Sequence, residues 1–517
     1  MKKLFAFAFA FAFALGTAGI ARADIAPDVA AKLDALQKQM DAVQKQMEIL
    51  RAQKAAPAPA PAPPAGSFVT KVPGAAQTFL IGGEPVTFYG QLDLSLDYTT
   101  KGLQKFYPGP GDSPQGNMSW LPQLSTNLSY IGVRGRHKLG PKSALVYQFE
   151  TQLDISATAG TVNNNASNDS IVKGALTSRN SYIGLDTNLG AFKIGKTDAP
   201  YKTSTARMNP FNGHINDYAI VMGNTGGDNR VEFGTRLDHS IWYESKTFFG
   251  GWTVNALLSP GQDRNAFTDG IPAGESSCSG GNVPGSGALP PACNDGSWSH
   301  VMSVSANYNH KNLYLTGAYE IHKNVNRTSD IGDPALAALD IGDEHAVKGG
   351  FQVGLNKRTT LSGLYEVMTR DVPLAIQYQN ERTRSGFWWA LTHRFDAKND
   401  VNFGWARANP SPGDPGQHNT AAGLNPDNMS NMLAFQYRHA IDTHVSWYLD
   451  YVDTLNHYGA HYDIGAGGRG LTTDCHDASL ITSFDPTVTP TPVSGVGPHC
   501  YTGGHIQGFS GGLTIRF

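Results

Sequence analysis

From Val86 onward, apolar and polar residues alternate along the chain. In "VTFYGQLDLSLDY", Val86, Phe88, Gly90, Leu92, Leu94, Leu96 and Tyr98 share one face. Thr87, Tyr89, Gln91, Asp93, Ser95 and Asp97 share the other. A period of two marks a strand with one apolar and one polar side. "SALVYQFETQLD" sets Leu145, Tyr147, Phe149 and Leu153 against Gln148, Glu150, Gln152 and Asp154. "GFWWALTHRF" sets Phe387, Trp389, Leu391 and Phe395 against Trp388, Thr392 and Arg394. "THVSWYLDY" alternates in the same way, and so does the final "SGGLTIRF", with Leu513, Ile515 and Phe517 against Thr514 and Arg516. About sixteen such segments recur, each close to the ~9–11 residues that a tilted membrane strand needs.

Two kinds of connector separate them. Short ones are "KLGPK" (138–142), "TNLGA" (187–191), "TFFGG" (247–251), "NHKN" (309–312), "NKRT" (356–359), "DAKND" (396–400) and "AID" (440–442). Long ones fall near 99–124, 156–177, 198–230, 260–297, 323–343, 371–382, 409–430 and 455–503. The two kinds alternate, so short turns gather at one end of the strands and long loops at the other. That predicts a 16-stranded antiparallel outer-membrane β-barrel with short periplasmic turns and long extracellular loops.

The same count decides which face is inside. About sixteen strands closed on themselves leave a lumen too wide to fill with side chains. The lumen is then wet and polar, and the apolar faces turn to lipid, where closure satisfies every backbone group. Tyr98, Trp242, Tyr243, Trp252, Tyr319 and Tyr437, near strand ends, suit interfacial girdles.

The first 85 residues follow other rules. Met1-Lys2-Lys3, an apolar run to Leu15 and Ala21-Arg22-Ala23 read as a signal peptide over 1–23. Residues 24–54 carry Val29, Leu33, Leu36, Met40, Val43, Met47 and Leu50 at heptad spacing. A helix so short and polar is marginal alone, so it expects copies of itself in a periplasmic coiled coil. "AAPAPAPAPPAG" then favours polyproline II, and 55–85 reads as a Pro/Ala-rich linker before a barrel over 86–517.

Composition narrows the function. Only 16% of the 517 residues are charged, against about 25% in typical soluble domains. The formal net charge is -3, and loss of Lys2, Lys3 and Arg22 makes it three units more negative. That excludes a nucleic-acid partner, which a basic chain would serve. Cys278 and Cys293 form one local pair and Cys475 and Cys500 another, each in a long loop, which reads as two disulfides in an exported protein. His476 and His499 flank the second pair without a zinc spacing, so no metal and no cofactor is expected. No Ser/His/Asp or paired-carboxylate arrangement stands out, and an enzyme is not expected.

The stretch from Val86 to Phe517 resembles the general diffusion porins of Gram-negative outer membranes. "FYGQLDLSLDY" is similar to the porin first strand, and "SYIGVRGRHKLG" to the second strand and its turn. "SRNSYIGLDTNLGAFKIGK" resembles the fourth and fifth strands, "RLDHSIWYES" the stretch after the third loop, and Phe517 the usual last residue. The resemblance implies a homotrimer whose third loop, here about Asp198–Arg230, folds into the pore. It implies loop acids facing basic wall residues: Asp217 first and Asp228 second. Arg179 takes the position of a wall arginine. Alternation puts Arg134 on the lumen face, and Lys196 and Arg236 are further candidates. The Pro-Glu-Phe-Gly-Gly tract common in enterobacterial members is missing, and Tyr130 stands where many of those have arginine. The implied partners are outer-membrane lipid, lipopolysaccharide and the barrel-assembly machinery, which would read Phe517.

The expected function is passive diffusion of small hydrophilic solutes and ions, with a weak cation preference from net charge. Alternatives are a channel selective for small organic anions or sugars, or a peptidoglycan tether through the N-terminal coil.

Overall fold

The computed structural model describes residues 69–71, 77–100, 120–153, 155–156, 179–222, 233–260, 300–323, 343–380, 382–412, 428–457, 460, 462–465 and 505–517. The signal peptide, the coiled-coil seam, the Pro-Ala tract, the four cysteines and Asp228 lie outside them.

Nineteen strands form one sheet. They are β1 (Val69–Lys71), β2 (Thr78–Ile81), β3 (Glu84–Thr99), β4 (Leu121–Thr126), β5 (Tyr130–Gly140), β6 (Ser143–Gln152), β7 (Ser181–Thr187), β8 (Gly190–Asp198), β9 (Arg236–Ser245) and β10 (Trp252–Ser259). There follow β11 (His300–His310), β12 (Leu313–Lys323), β13 (Glu344–Gly354), β14 (Thr359–Arg370), β15 (Arg384–Arg394), β16 (Asn399–Ala408), β17 (Ser430–Ala440), β18 (Val445–Asn456) and β19 (His505–Arg516). β4 and β5 both pair with β3 and make one stave, broken at Asn127–Ser129. At the break, side chains replace ladder bonds: Asp93 N–H donates to Ser129 Oγ at 2.8 Å and Asn127 Nδ2 donates to Asp93 Oδ1 at 2.9 Å. β1 pairs with β2, and β2 pairs in turn with Glu84–Thr87 at the start of β3. The remaining sixteen staves are antiparallel and close where β19 pairs with β3.

Inside and outside follow the alternation. Outward Leu96, Ile194 and Leu449 are 69%, 59% and 54% exposed, whereas inward Asp93, Ser95 and Asp97 are at most 2% exposed. Such a surface is stable only with hydrocarbon against it. Trp242 departs from the girdle expectation. It faces inward at 4% exposure, edge-on to Tyr182, because a register shift between β8 and β9 at His239 (φ 48°) resets the faces.

The short turns are built by side chains. Asp396 accepts from the backbone N–H groups of Lys398 and Asn399, and Asp442 from those of His444 and Val445. These backbone bonds hold both carboxyls below the usual carboxylate range.

The stretch expected as linker contains structure. "TFLIGGEPVT" folds as a hairpin, with Thr78–Ile81 paired to Glu84–Thr87. Gly82 and Gly83 have φ of 60° and 88°, which a two-residue hairpin turn of this hand requires. β2 continues in line beyond the C-terminus: Phe517 exchanges backbone bonds with Gly90, and Phe88 N–H donates to Gln77 O. A Cβ on Gly90 would come within 2.6 Å of the Phe517 ring, so only glycine fits under it.

Candidate pore constriction

The third long loop leaves β8 through α1 (Pro200–Thr205), which starts with proline at its first turn. It continues through short 3-10 turns at Ala206–Met208 and Tyr218–Ile220. It lies inside the barrel along the inner wall. Its apolar side chains hold it there: Met208, Phe211, Ile215, Val221 and Met222 are buried in one cluster with the inward Trp388, Leu364 and Met432. Trp388 stacks on Tyr218, meets Phe211 edge-on and donates Nε1–H to Met208 O at 3.1 Å. A side chain at Gly404 would collide with both Trp388 and Phe211.

Polar anchors run the length of the loop. Tyr201 Oη donates to Glu366 at 2.5 Å, and Lys348 Nζ donates to Thr205 Oγ1 at 2.9 Å. Arg207 Nε donates to Gln352 Oε1 at 2.9 Å, and its guanidinium lies 4.3 Å from the Tyr314 ring centre. At the tip, His214 Nδ1 is 2.8 Å from Asp450 Oδ2 and Nε2 is 3.6 Å from Asp93 Oδ2. Burial alone would lower this imidazole, but the Asp450 and Asp93 carboxylates outweigh it and raise the pKa to about 10. His214 is therefore a cation at neutral pH, bridging two strands far apart in sequence.

Asp217 has a different surrounding from the wall-facing one expected of it. It is 7% exposed. Its oxygens accept from Asn209 Nδ2, Gly213 N–H and Ala219 N–H at 2.7, 2.8 and 3.0 Å. These are all loop donors, so the carboxylate staples the loop to itself. Among the described loop residues, the charged side chains left exposed are Lys202 and Arg207, both cations.

The wall not covered by the loop runs from the turn half of β3 through β5 to β9. Here Arg134 is exposed on the lumen face, 5.1 Å from the Tyr89 ring centre. Tyr89 Oη donates to Glu150 Oε2 at 3.0 Å. Arg179 Nε donates to the other oxygen of Glu150 at 2.5 Å, and its guanidinium sits 4.8 Å from the Tyr130 ring. Arg134, Tyr89, Glu150, Arg179 and Tyr130 thus form one chain of contacts. Arg236 belongs to a second group, with Nε on Asn180 Oδ1 at 2.7 Å and an ion pair to Asp198 at 3.3 Å, which Lys202 shares. Lys196 pairs with Asp238 at 2.8 Å beside the register shift. The structure brings Arg134 and Arg179 together, and keeps Asp217 and Lys196 in other contacts.

Among the described residues, the acids of this wall are paired: Glu150 with Arg179, Asp198 with Lys202 and Arg236, Asp186 with Arg136 and Lys246, Glu244 with Lys193. Among the described residues no carboxylate pairs with Arg134 or Arg207. Trp388 on the polar face of its strand was the visible sign that something apolar covers that wall. His214, Asp93 and Asp450 carried no such sign.

Known proteins place this geometry. The model of the Gram-negative porin family matches residues 67–457. The anion-selective porin from Comamonas acidovorans superposes with a TM-score of 0.55 at 14% identity, covering 84% of this chain and 100% of that one. OmpF of Salmonella typhi in complex with daunomycin gives 0.48 at 13%, covering 84% and 98%. In-vitro folded OmpT of Vibrio cholerae gives 0.47 at 13%, with the same coverage. A search of curated protein sequences finds no match. With a closed barrel, an inward third loop and a family match over most of its length, the chain belongs to the Gram-negative porins, outer-membrane β-barrel channels for passive diffusion.

Proposed function

We propose that this porin prefers anions, small organic carboxylates among them, over cations. The observation that carries the reading is the pair of guanidiniums without carboxylate partners, Arg134 on the open wall and Arg207 on the loop. The neighbouring acids are neutralised by ion pairs. Asp97, with no cation partner among the described residues, is 2% exposed and withdrawn from the water path. A moving ion responds to the charges that face it, not to the formal charge of the chain. The proposal therefore departs from the cation preference expected from net charge. It favours anions over sugars, because a free guanidinium binds carboxylate bidentately.

Reversal potentials in planar bilayers across a potassium chloride gradient test it. Chloride permeability above that of potassium is expected, and a potassium preference overturns the proposal.

The proposed assembly is a homotrimer with its N-terminal segment in the periplasm. The heptad seam from Val29 to Leu50 supports the trimer, and the β2–β3 hairpin at the turn end supports the periplasmic exit. Deletion of 24–66 is expected to lower the temperature at which the trimer dissociates. An unchanged trimer that no longer co-sediments with cell wall would favour a tether instead.

A further inference from the structure

Lumen cations in this barrel stand repeatedly on aromatic rings. Arg134 lies over Tyr89, Arg179 over Tyr130, Lys193 over Tyr182, and Arg207 over Tyr314, at 5.1, 4.8, 4.5 and 4.3 Å from the ring centres. Arg179 and Lys193 are neutralised by Glu150 and Glu244. Arg134 is exposed and has no carboxylate partner among the described residues, and the ring beside it is held in place. Glu150 fixes the Tyr89 hydroxyl at 3.0 Å, and Gly132 leaves room for the ring, since any side chain there would collide with it.

From this geometry we infer that Arg134 and Tyr89 form a weak binding subsite for aromatic carboxylates. The inference rests on the anion preference proposed above and names its solute class. The guanidinium edge is a planar fork matched to a carboxylate. The flat surface of guanidinium and phenol suits a flat ring attached to that carboxylate. A saturated ring of the same size offers the same charge but cannot lie as close or stack. Chloride uses the charge alone. Weak binding is what a channel requires, because the solute must leave again. The subsite lies close to the loop tip. Gly213 packs on Leu128, whose carbonyl accepts from Gln91, and Gln91 and Tyr89 share the lumen face of β3. Solutes passing the loop tip therefore pass the subsite.

The test compares potassium benzoate with potassium cyclohexanecarboxylate on the full-length channel in planar bilayers, reading the concentration at which current half-saturates. Benzoate is expected to half-saturate at a concentration about three- to tenfold lower. Tyr89→Leu is expected to abolish that gap while keeping the wild-type chloride-to-potassium permeability ratio. Tyr89→Phe, which keeps the ring, is expected to keep the gap. Equal half-saturation of the two carboxylates in the wild type overturns the inference, and so does a gap that survives Tyr89→Leu. The chloride reversal potential reads the anion preference separately, so either proposal can fail without the other.

Discussion

The wall under loop 3 and the wall facing it are built from the same alternating strands, yet their inward side chains meet opposite surroundings. Beneath the loop, across β13 to β19 and the loop half of β3, the inward positions that the loop covers are sealed. Trp388, Met432 and Tyr448 are at most 1% exposed, and the carboxylates Asp93, Asp97 and Asp450 at most 3%. On the facing wall, Arg134 is in water and its neighbours are partly so. A lumen position is thus not one environment. The loop turns half of the polar face into a packed interface with a protein core's rules, and leaves the other half to set the field along the pore. The acids are concentrated where solute does not reach them. This is why the charge of the whole chain is a poor guide to the charge a solute meets.

The largest expected effect breaks the covered side. Trp388→Ala removes the loop's main apolar anchor and the donor to Met208 O. Burial of this kind is worth about 3–5 kcal/mol. The loop is expected to leave the wall, raising single-channel conductance and current noise. Unchanged conductance and noise would mean the polar anchors suffice. Asp217→Ala comes next. It strands two backbone N–H groups and the Asn209 amide, at a cost of about 1–3 kcal/mol in total. The expected outcome is a noisier channel with an unaltered chloride-to-potassium ratio. A selectivity change without added noise would instead mark Asp217 as a pore charge.

These two positions also show what the sequence could and could not carry. Strand number, turn positions and the closing β19–β3 seam follow from period-two patterning and loop length, both local properties. The hairpin over 78–87 was legible too, since "LIGGEP" is a two-glycine turn between extended runs, but the nearby Pro-Ala tract masked it. Alternation assigns a residue to a face and says nothing of what covers that face. Hence Arg134 reads as lumenal, while Asp217 does not reveal that both of its oxygens are engaged by Asn209, Gly213 and Ala219. The His214 bridge joins residues more than a hundred positions away on either side, and no periodicity connects them.

On the open side the effects are smaller. Arg134→Gln with Arg207→Gln removes two exposed guanidiniums that have no carboxylate partner among the described residues, without removing bulk. A shift of the chloride-to-potassium ratio toward potassium by about two- to fivefold is expected, with conductance and noise near wild type. The same pair of changes on the covered side, Arg384→Gln with Lys348→Gln, is expected to leave the ratio alone. Both residues are buried, Arg384 against Tyr462 and Met222 O and Lys348 against Thr205. If the buried pair moved selectivity as much as the exposed pair, the division into sealed and open walls would fail.

The smallest effect is expected from pH. Around His214 stand Asp450 and Asp93 from two strands, the Tyr448 ring 4.1 Å away and the Gln436 amide. With the folded pKa raised from 6.5 to about 10, the imidazolium contributes its full attachment energy below about 6.5. Above that it declines progressively and is gone once pH has risen past about 10, where the folded imidazolium itself loses its proton. Over the range of ordinary solutions the loop tip therefore stays latched and conductance stays flat. A rise in current noise is expected only near and above pH 10. His214→Gln has no proton to lose and should be noisier throughout, with no step at high pH. A step near the ordinary histidine value would show that the two carboxylates do not hold the proton. The tip would then be joined to the covered wall by the Asn216 bond to Phe435 O and by packing, without an ionic latch.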